Sequence, residues 1–83
     1  MFSTKLKILS IKDPEDIKSG GKSLQVRWIF GLVNDKNVAF KLWNDLANDP
    51  KLILENEIEV EFKIESRENN GRFFTDLTII KII

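Results

Sequence analysis

Lys41 and Trp43 stand two positions apart in the run Lys36-Asn37-Val38-Ala39-Phe40-Lys41-Leu42-Trp43, on the parity opposite Phe40 and Leu42. In an extended chain that spacing puts an ammonium and an indole on one face. Arg27 takes the parity opposite Val26 and Trp28 in the preceding run, which opens at Lys22. Arg67, Arg72 and Phe73 crowd a later turn, Lys18 lies shortly before Lys22, and Lys5 and Lys7 sit near the start. A flat ring beside a fixed cation offers two non-covalent contacts: a π-face for a planar group and a charge for an anion. Neither contact makes or breaks a bond.

The other chemistries lack their residues. There is no Cys, so thiol catalysis, thiolate metal sites and a disulfide frame are excluded. There is no His, which removes the commonest acid–base group and metal ligand. Glu57, Glu59, Glu61 and Glu65 line one face of a strand. Those at spacing two lie about 6.6–7 Å apart, within the range of paired catalytic carboxylates. An exposed strand face gives them no pocket, so they read as a solvated acidic face that would repel phosphates. Gly20-Gly21 lacks the Lys-Ser/Thr and the following helix of a phosphate loop. No enzyme activity, cofactor or metal is expected.

The elements that must position the rings and cations start from the end of the chain. Residues 57–65 alternate strictly between charged and apolar, the signature of a strand with one buried face. Residues 66–72 contain Asn70-Gly71, which suits the two centres of a type I′ turn, and residues 73–80 are again aromatic and β-branched. This is a β-hairpin. Its turn sets the register: Asn69 faces Arg72, Ile64 faces Leu77 and Phe62 faces Ile79. Glu65 then lies beside Asp76, and Arg67 is the candidate to offset them; the alternative leaves both carboxylates in water.

Residues 2–11 form a strand whose apolar phase shifts, from Leu6 and Ile8 to Leu9 and Ile11, so a bulge or bend near 8–10 is expected. Asp13-Pro14 and Gly20-Gly21 make residues 12–21 a loop, with Ile17 tucked back onto the body. Residues 22–33 form a second strand with Leu24, Val26, Trp28 and Phe30 on its core face. Asn34-Asp35-Lys36-Asn37 is a turn, and Val38, Phe40 and Leu42 mark a third strand. Residues 44–55 are the helical region, with Asn44 as N-cap, a restart at Asp49-Pro50, and Leu46, Leu52, Ile53 and Leu54 plugging one end.

The order is β-β-β-α-β-β in a single domain of 83 residues. A short helix between strands three and four of a five-stranded antiparallel barrel is the order of the OB-fold. An SH3-like barrel is the rival, with shorter strands and no helix of this length there.

Residues 57–62, with Ser66-Arg67-Glu68-Asn69-Asn70-Gly71-Arg72-Phe73-Phe74-Thr75-Asp76-Leu77, resemble a family of small OB-fold proteins from Bacteroides-group bacteria and their phages. Residues 36–43 resemble that family's third strand. The family is described as similar to single-stranded DNA-binding proteins, much of it functionally unassigned. This chain has Asn69 where the family commonly carries an aromatic, which removes one stacking contact if that ring meets a base. The acidic C-terminal tail of bacterial single-strand binding proteins is absent too, so tail-mediated recruitment is not expected.

An OB barrel presents oligonucleotides across its second and third strands, flanked by the first-to-second and fourth-to-fifth loops. Ring faces stack on bases while Lys and Arg follow the backbone. The candidate nucleic-acid contacts are therefore Arg27, Lys41, Trp43, Arg67, Arg72, Phe73 and Lys22. Each has a plainer alternative. Trp28 reads as core, Trp43 either stacks or covers the helix, and one of Phe73 and Phe74 is core. Arg27 and Lys41 read as solvated positions.

The expected function is non-sequence-specific single-stranded DNA binding, with RNA as a variant. The competing expectation is a protein-interaction or assembly module, favoured by zero net charge, by Asn69, and by Ile29, Ile80 and Ile82 on the outer parity as a dimer contact. Thirteen basic and 13 acidic residues require local segregation of charge for the first. With no signal-peptide pattern and no apolar span, a soluble cytoplasmic domain is expected.

Overall fold

A computed structural model describes residues 2–83, with the side chain of Ser19 excepted. The strands are β1 (Phe2–Ile11), β2 (Glu15–Ser19), β3 (Lys22–Val33), β4 (Lys36–Trp43), β5 (Glu57–Asn69) and β6 (Arg72–Ile82), with a 3₁₀ helix at Asn44–Asn48. The sheet order is β1-β5-β6-β4-β3-β2, and β1 also pairs with β3. Five strands therefore close a ring, and β2 hangs on its outside. β4 and β6 run parallel; every other pair is antiparallel.

β1 closes the ring because it serves two neighbours. Its first part, Phe2 to Lys7, pairs with β5, and its second part, from Lys7, pairs with β3. The expected irregularity lies between Ile8 and Ser10, where the phase of the apolar residues shifts. Gly31 on β3 permits the closure. A β-carbon there would lie 2.8 Å from Leu6 Cδ1 and closer still to the Lys7 carbonyl oxygen. Only a residue without a side chain lets the two backbones meet.

That contact also sets which face of β3 points inward, and it reverses the expected parity. Gly31 and Ile29 face the core, Ile29 being 1% exposed, whereas Trp28 is half-buried and Phe30 exposed on the outside. The core is Leu6, Ile8, Ile29, Phe40, Leu42, Ala47, Leu52, Ile58, Val60 and Ile79. Phe62 packs against it, edge-on to Phe40 with ring centroids 5.3 Å apart. Val26 is buried yet lies outside this cluster, on the outer face.

The hairpin of β5 and β6 has the expected register, with Asn69 opposite Arg72, Ile64 opposite Leu77 and Phe62 opposite Ile79. Asn70 and Gly71 have φ of 54° and 79°, as a type I′ turn requires. A bulge beyond Phe62 then skips Ile80, so Ile82 turns inward opposite Val60 instead of outward. Of the outer apolar trio, only Ile80 is exposed.

Two expectations fail for local reasons. Residues 15–19 form a strand, because Gly20 and Gly21, with φ of 58° and 78°, make a hairpin turn that lays β2 along β3. Ile17 on it is 40% exposed and does not tuck in. The helical region shrinks to one 3₁₀ helix with no side-chain cap, and Asn44 is its first residue. Asn44 has φ of 53° and turns its Oδ1 to accept from Gln25 N at 3.1 Å. Asp49 Oδ1 accepts from Lys51 N at 2.8 Å, an Asx turn in place of a restarted helix. Leu52 still enters the core, while Ile53 and Leu54 stay outside.

Among the described residues no helix is long and apolar enough to cross a membrane.

Candidate nucleic-acid interface

Strand alternation assembles the candidate face. Phe40 and Leu42 are buried, so Lys41 and Trp43 point outward from β4. Across the ladder Lys41 pairs with Trp28 and Trp43 with Val26. The two indoles therefore flank one ammonium: Lys41 Nζ lies 5.8 Å from the Trp28 ring centroid and 5.2 Å from that of Trp43. Cation–π contacts of this kind hold the amine over the rings. Both indoles are half-buried, so neither is sealed inside.

On the other side of Lys41 the face continues onto β6, where Lys41 pairs with Thr78. Two residues before Thr78, Asp76 Oδ2 accepts from Lys41 Nζ at 3.2 Å and from Arg67 Nη1 at 3.0 Å. Arg67 does relieve the Glu65–Asp76 rung, joined there by Lys41, and Glu65 is met by Lys63 at 3.2 Å. Arg67 also pairs across the ladder with Phe74 and lies 5.8 Å from its ring centroid. A cleft of about 150 Å³ opens here, lined by Lys41, Glu65, Ser66, Arg67 and Asp76. It is smaller than pockets that enclose drug-sized molecules.

The structure brings most, but not all, of the sequence candidates together. Lys41, Trp43 and Arg67 share the face. Arg72 joins them by alternation from Phe74 and Asp76, and it makes no ion pair among the described residues. Lys22 lies on the same parity as Trp28 at the far end of β3, lining a surface cleft with Lys18, Gly21 and Ser23.

Arg27 does not join them. It pairs with Leu42 on the inward parity that Gly31 imposes, half-buried, with Nε bonded to nothing among the described residues. Phe73 pairs with Glu68 on the opposite face of the hairpin and is 75% exposed. Phe74, at 43%, is the ring that faces the cations, and neither phenylalanine is core.

Two rings thus take places that the sequence pattern does not assign them. Trp28 belongs to the face, and the signal for it is Gly31, three positions on. Phe74 belongs to it as the partner of Arg67, legible from the turn register. The exposed Asn69 also lies on this face, so a ring there would have extended it.

The acidic strand face is more mixed than its sequence suggests. Glu57 and Glu59 pair with Lys7 and Lys5 of β1, so charges alternate across the rungs. Lys7 Nζ also lies 3.8 Å from Glu55 Oε2. Those two lysines serve the acidic flank and stand apart from the ring-bearing face.

Two solved structures share the architecture. The second OB-fold domain of replication protein A from Methanococcus maripaludis superposes with a TM-score of 0.75 over 96% of this chain and 78% of its own, at 14% identity. The SSB domain of a Synechococcus protein gives 0.64 over 98% and 90%, also at 14% identity. The chain has an OB-fold. No protein-family model matches it, and no curated protein matches it in sequence. At such identity the likeness carries the fold and the placement of strands, and the side chains of the face are this chain's own.

Proposed function

We propose that the protein binds single-stranded DNA, without sequence preference, across the outer face of β3 and β4 and along the β5–β6 hairpin. The observation that carries this reading is the ammonium of Lys41 held between the outward-facing Trp28 and Trp43, with Arg67 and Phe74 repeating the cation-and-ring pairing beyond it. Bases stack on such rings at ~1–3 kcal/mol each, while the cations follow the backbone. Every base has a π-face, and the face offers rings and charges in preference to a pocket that reads base edges, so sequence tolerance follows. The kinds of protein that share the fold, a replication protein A domain and an SSB domain, support the ligand class. RNA is the variant ligand, since neither stacking nor phosphate contact demands deoxyribose.

The test is a titration of tryptophan fluorescence with an oligothymidine at low and moderate salt. Quenching with an affinity that falls as salt rises supports the proposal. No binding at ~20 mM salt sinks it, because electrostatic attraction is strongest there.

A protein-assembly role draws on a different surface. Ile64 and Phe73 are 48% and 75% exposed on the hairpin face away from the cations. Self-association through that arm would show as a dimer or larger homo-oligomer in light scattering. A monomer at high concentration would count against it.

A further inference from the structure

Among the described residues Asp76 is the one carboxylate that reaches both Lys41 and Arg67, and it does so through a single oxygen, Oδ2, at 3.2 and 3.0 Å. Its other oxygen takes part in no hydrogen bond among the described residues. Asp76 and Lys41 are largely covered, with side chains 16% and 15% exposed, while Arg67 is 66% exposed. The carboxylate therefore holds the two cations nearest the rings in the manner of a backbone phosphate: one anionic oxygen accepting from an ammonium and a guanidinium.

We infer that Asp76 is an internal stand-in for phosphate, which incoming single-stranded DNA must displace from Lys41 and Arg67. The inference rests on the single-stranded DNA reading above and concerns how that site is regulated. It assigns Asp76 an opposing role: it keeps the cations paired in the free protein and lowers affinity for the ligand. The displaced carboxylate takes up counterions of its own, so it also flattens the dependence on salt.

The alternative role is positioning. A carboxylate that fixes Lys41 and Arg67 in the geometry the ligand needs would help binding. The two roles predict opposite signs for one substitution.

The experiment compares the wild type, Asp76→Asn and Glu68→Gln in titrations with an oligothymidine between ~20 and ~200 mM salt. Glu68→Gln removes the same charge from the same hairpin, but Glu68 faces away and pairs with neither cation. Asp76→Asn should bind roughly fivefold tighter at ~50 mM salt, the scale of a partly exposed ion pair. Its log–log salt slope should steepen by ~0.7 for each phosphate whose counterion release the displaced carboxylate no longer offsets. Per phosphate, the gain should shrink about 2.6-fold between ~50 and ~200 mM. Glu68→Gln should show a clearly smaller gain.

If the wild type binds and Asp76→Asn binds equally or more weakly, the stand-in role is overturned and the DNA reading remains. The stand-in role is likewise overturned if Glu68→Gln tightens binding as much. If none of the three proteins binds at ~20 mM salt, both readings fall. Binding by Asp76→Asn alone supports both.

Asp76→Asn leaves the covered Lys41 without its anion, so thermal melts accompany the titrations. A wild-type measurement removes dependence on the variant's folding. The carboxylate ¹³C resonance of Asp76 should move on saturation with oligothymidine, while that of Glu68 stays in place. An unmoved Asp76 resonance overturns the displacement.

Discussion

Trp43→Ala separates stacking from charge. Trp43 is half-buried, pairs with the buried Val26 and lies under the Lys41 ammonium. A base–aromatic stack contributes ~1–3 kcal/mol, and a half-buried ring belongs in the lower half of that range. About 1–2 kcal/mol corresponds to roughly 5- to 30-fold weaker binding. No charge is removed, so the salt slope should stay that of the wild type. Arg72→Gln is the complementary variant: it deletes a cation with no partner among the described residues and should flatten the slope by ~0.7. The assay is fluorescence anisotropy with a labelled oligothymidine at ~50 and ~200 mM salt, beside a thermal melt to confirm folding. Trp43→Phe should recover part of the loss. A folded Trp43→Ala protein whose Kd stays within twofold of the wild type at both salts would refute stacking on this ring. So would a slope change as large as that of Arg72→Gln.

Three further outcomes are expected. Phe74→Ala should weaken oligothymidine binding several-fold and Phe73→Ala less than twofold, because only Phe74 shares a face with Arg67; equal effects in the same anisotropy assay would contradict that division of the hairpin faces. Gly31→Ala drives a methyl group into the Lys7 carbonyl and Leu6, and should destabilise by roughly 3 kcal/mol or more, lowering Tm by at least ~12 °C in a calorimetric scan. Gly71→Ala keeps the hairpin but strains a φ of 79°, so about 1–2 kcal/mol should be lost by urea denaturation with the salt slope of binding unchanged.

What the sequence reveals depends on whether a local rule fixes each element. The register of the β5–β6 hairpin from Phe62 to the turn is legible because Asn70-Gly71 pins the turn and the alternation of Glu59, Val60, Glu61 and Phe62 pins the faces, while the bulge that turns Ile82 inward has no such local signal. The irregularity in β1 is legible from the apolar phase of Leu6, Ile8, Leu9 and Ile11. β2 is not, because Glu15, Asp16, Ile17 and Lys18 bury no face and the strand is held by main-chain pairing to β3 alone. The faces of β3 are easily exchanged on paper because both parities carry large apolar side chains. The choice between them is made by a tertiary contact, Gly31 against β1, which no local pattern encodes. The same choice moves Arg27 off the candidate site and Trp28 onto it. The stretch after Trp43 has apolar residues at helical spacing, yet the buried Ala47 and Leu52 are reached by a 3₁₀ helix and an Asx turn over the barrel end.

The join between β4 and β6 is made by one ladder rung, Lys41 with Thr78, whereas β3 and β4 share eight. Thr78 is buried there with its hydroxyl bonded to nothing among the described residues. The staves of the barrel should part first along this line, and amide hydrogens beside it should exchange sooner than those of β3. A molecule grasped at once by Trp43 on one stave and Arg67 on the hairpin would bridge the line like a clasp, so occupancy should slow that exchange more than exchange anywhere else in the wall.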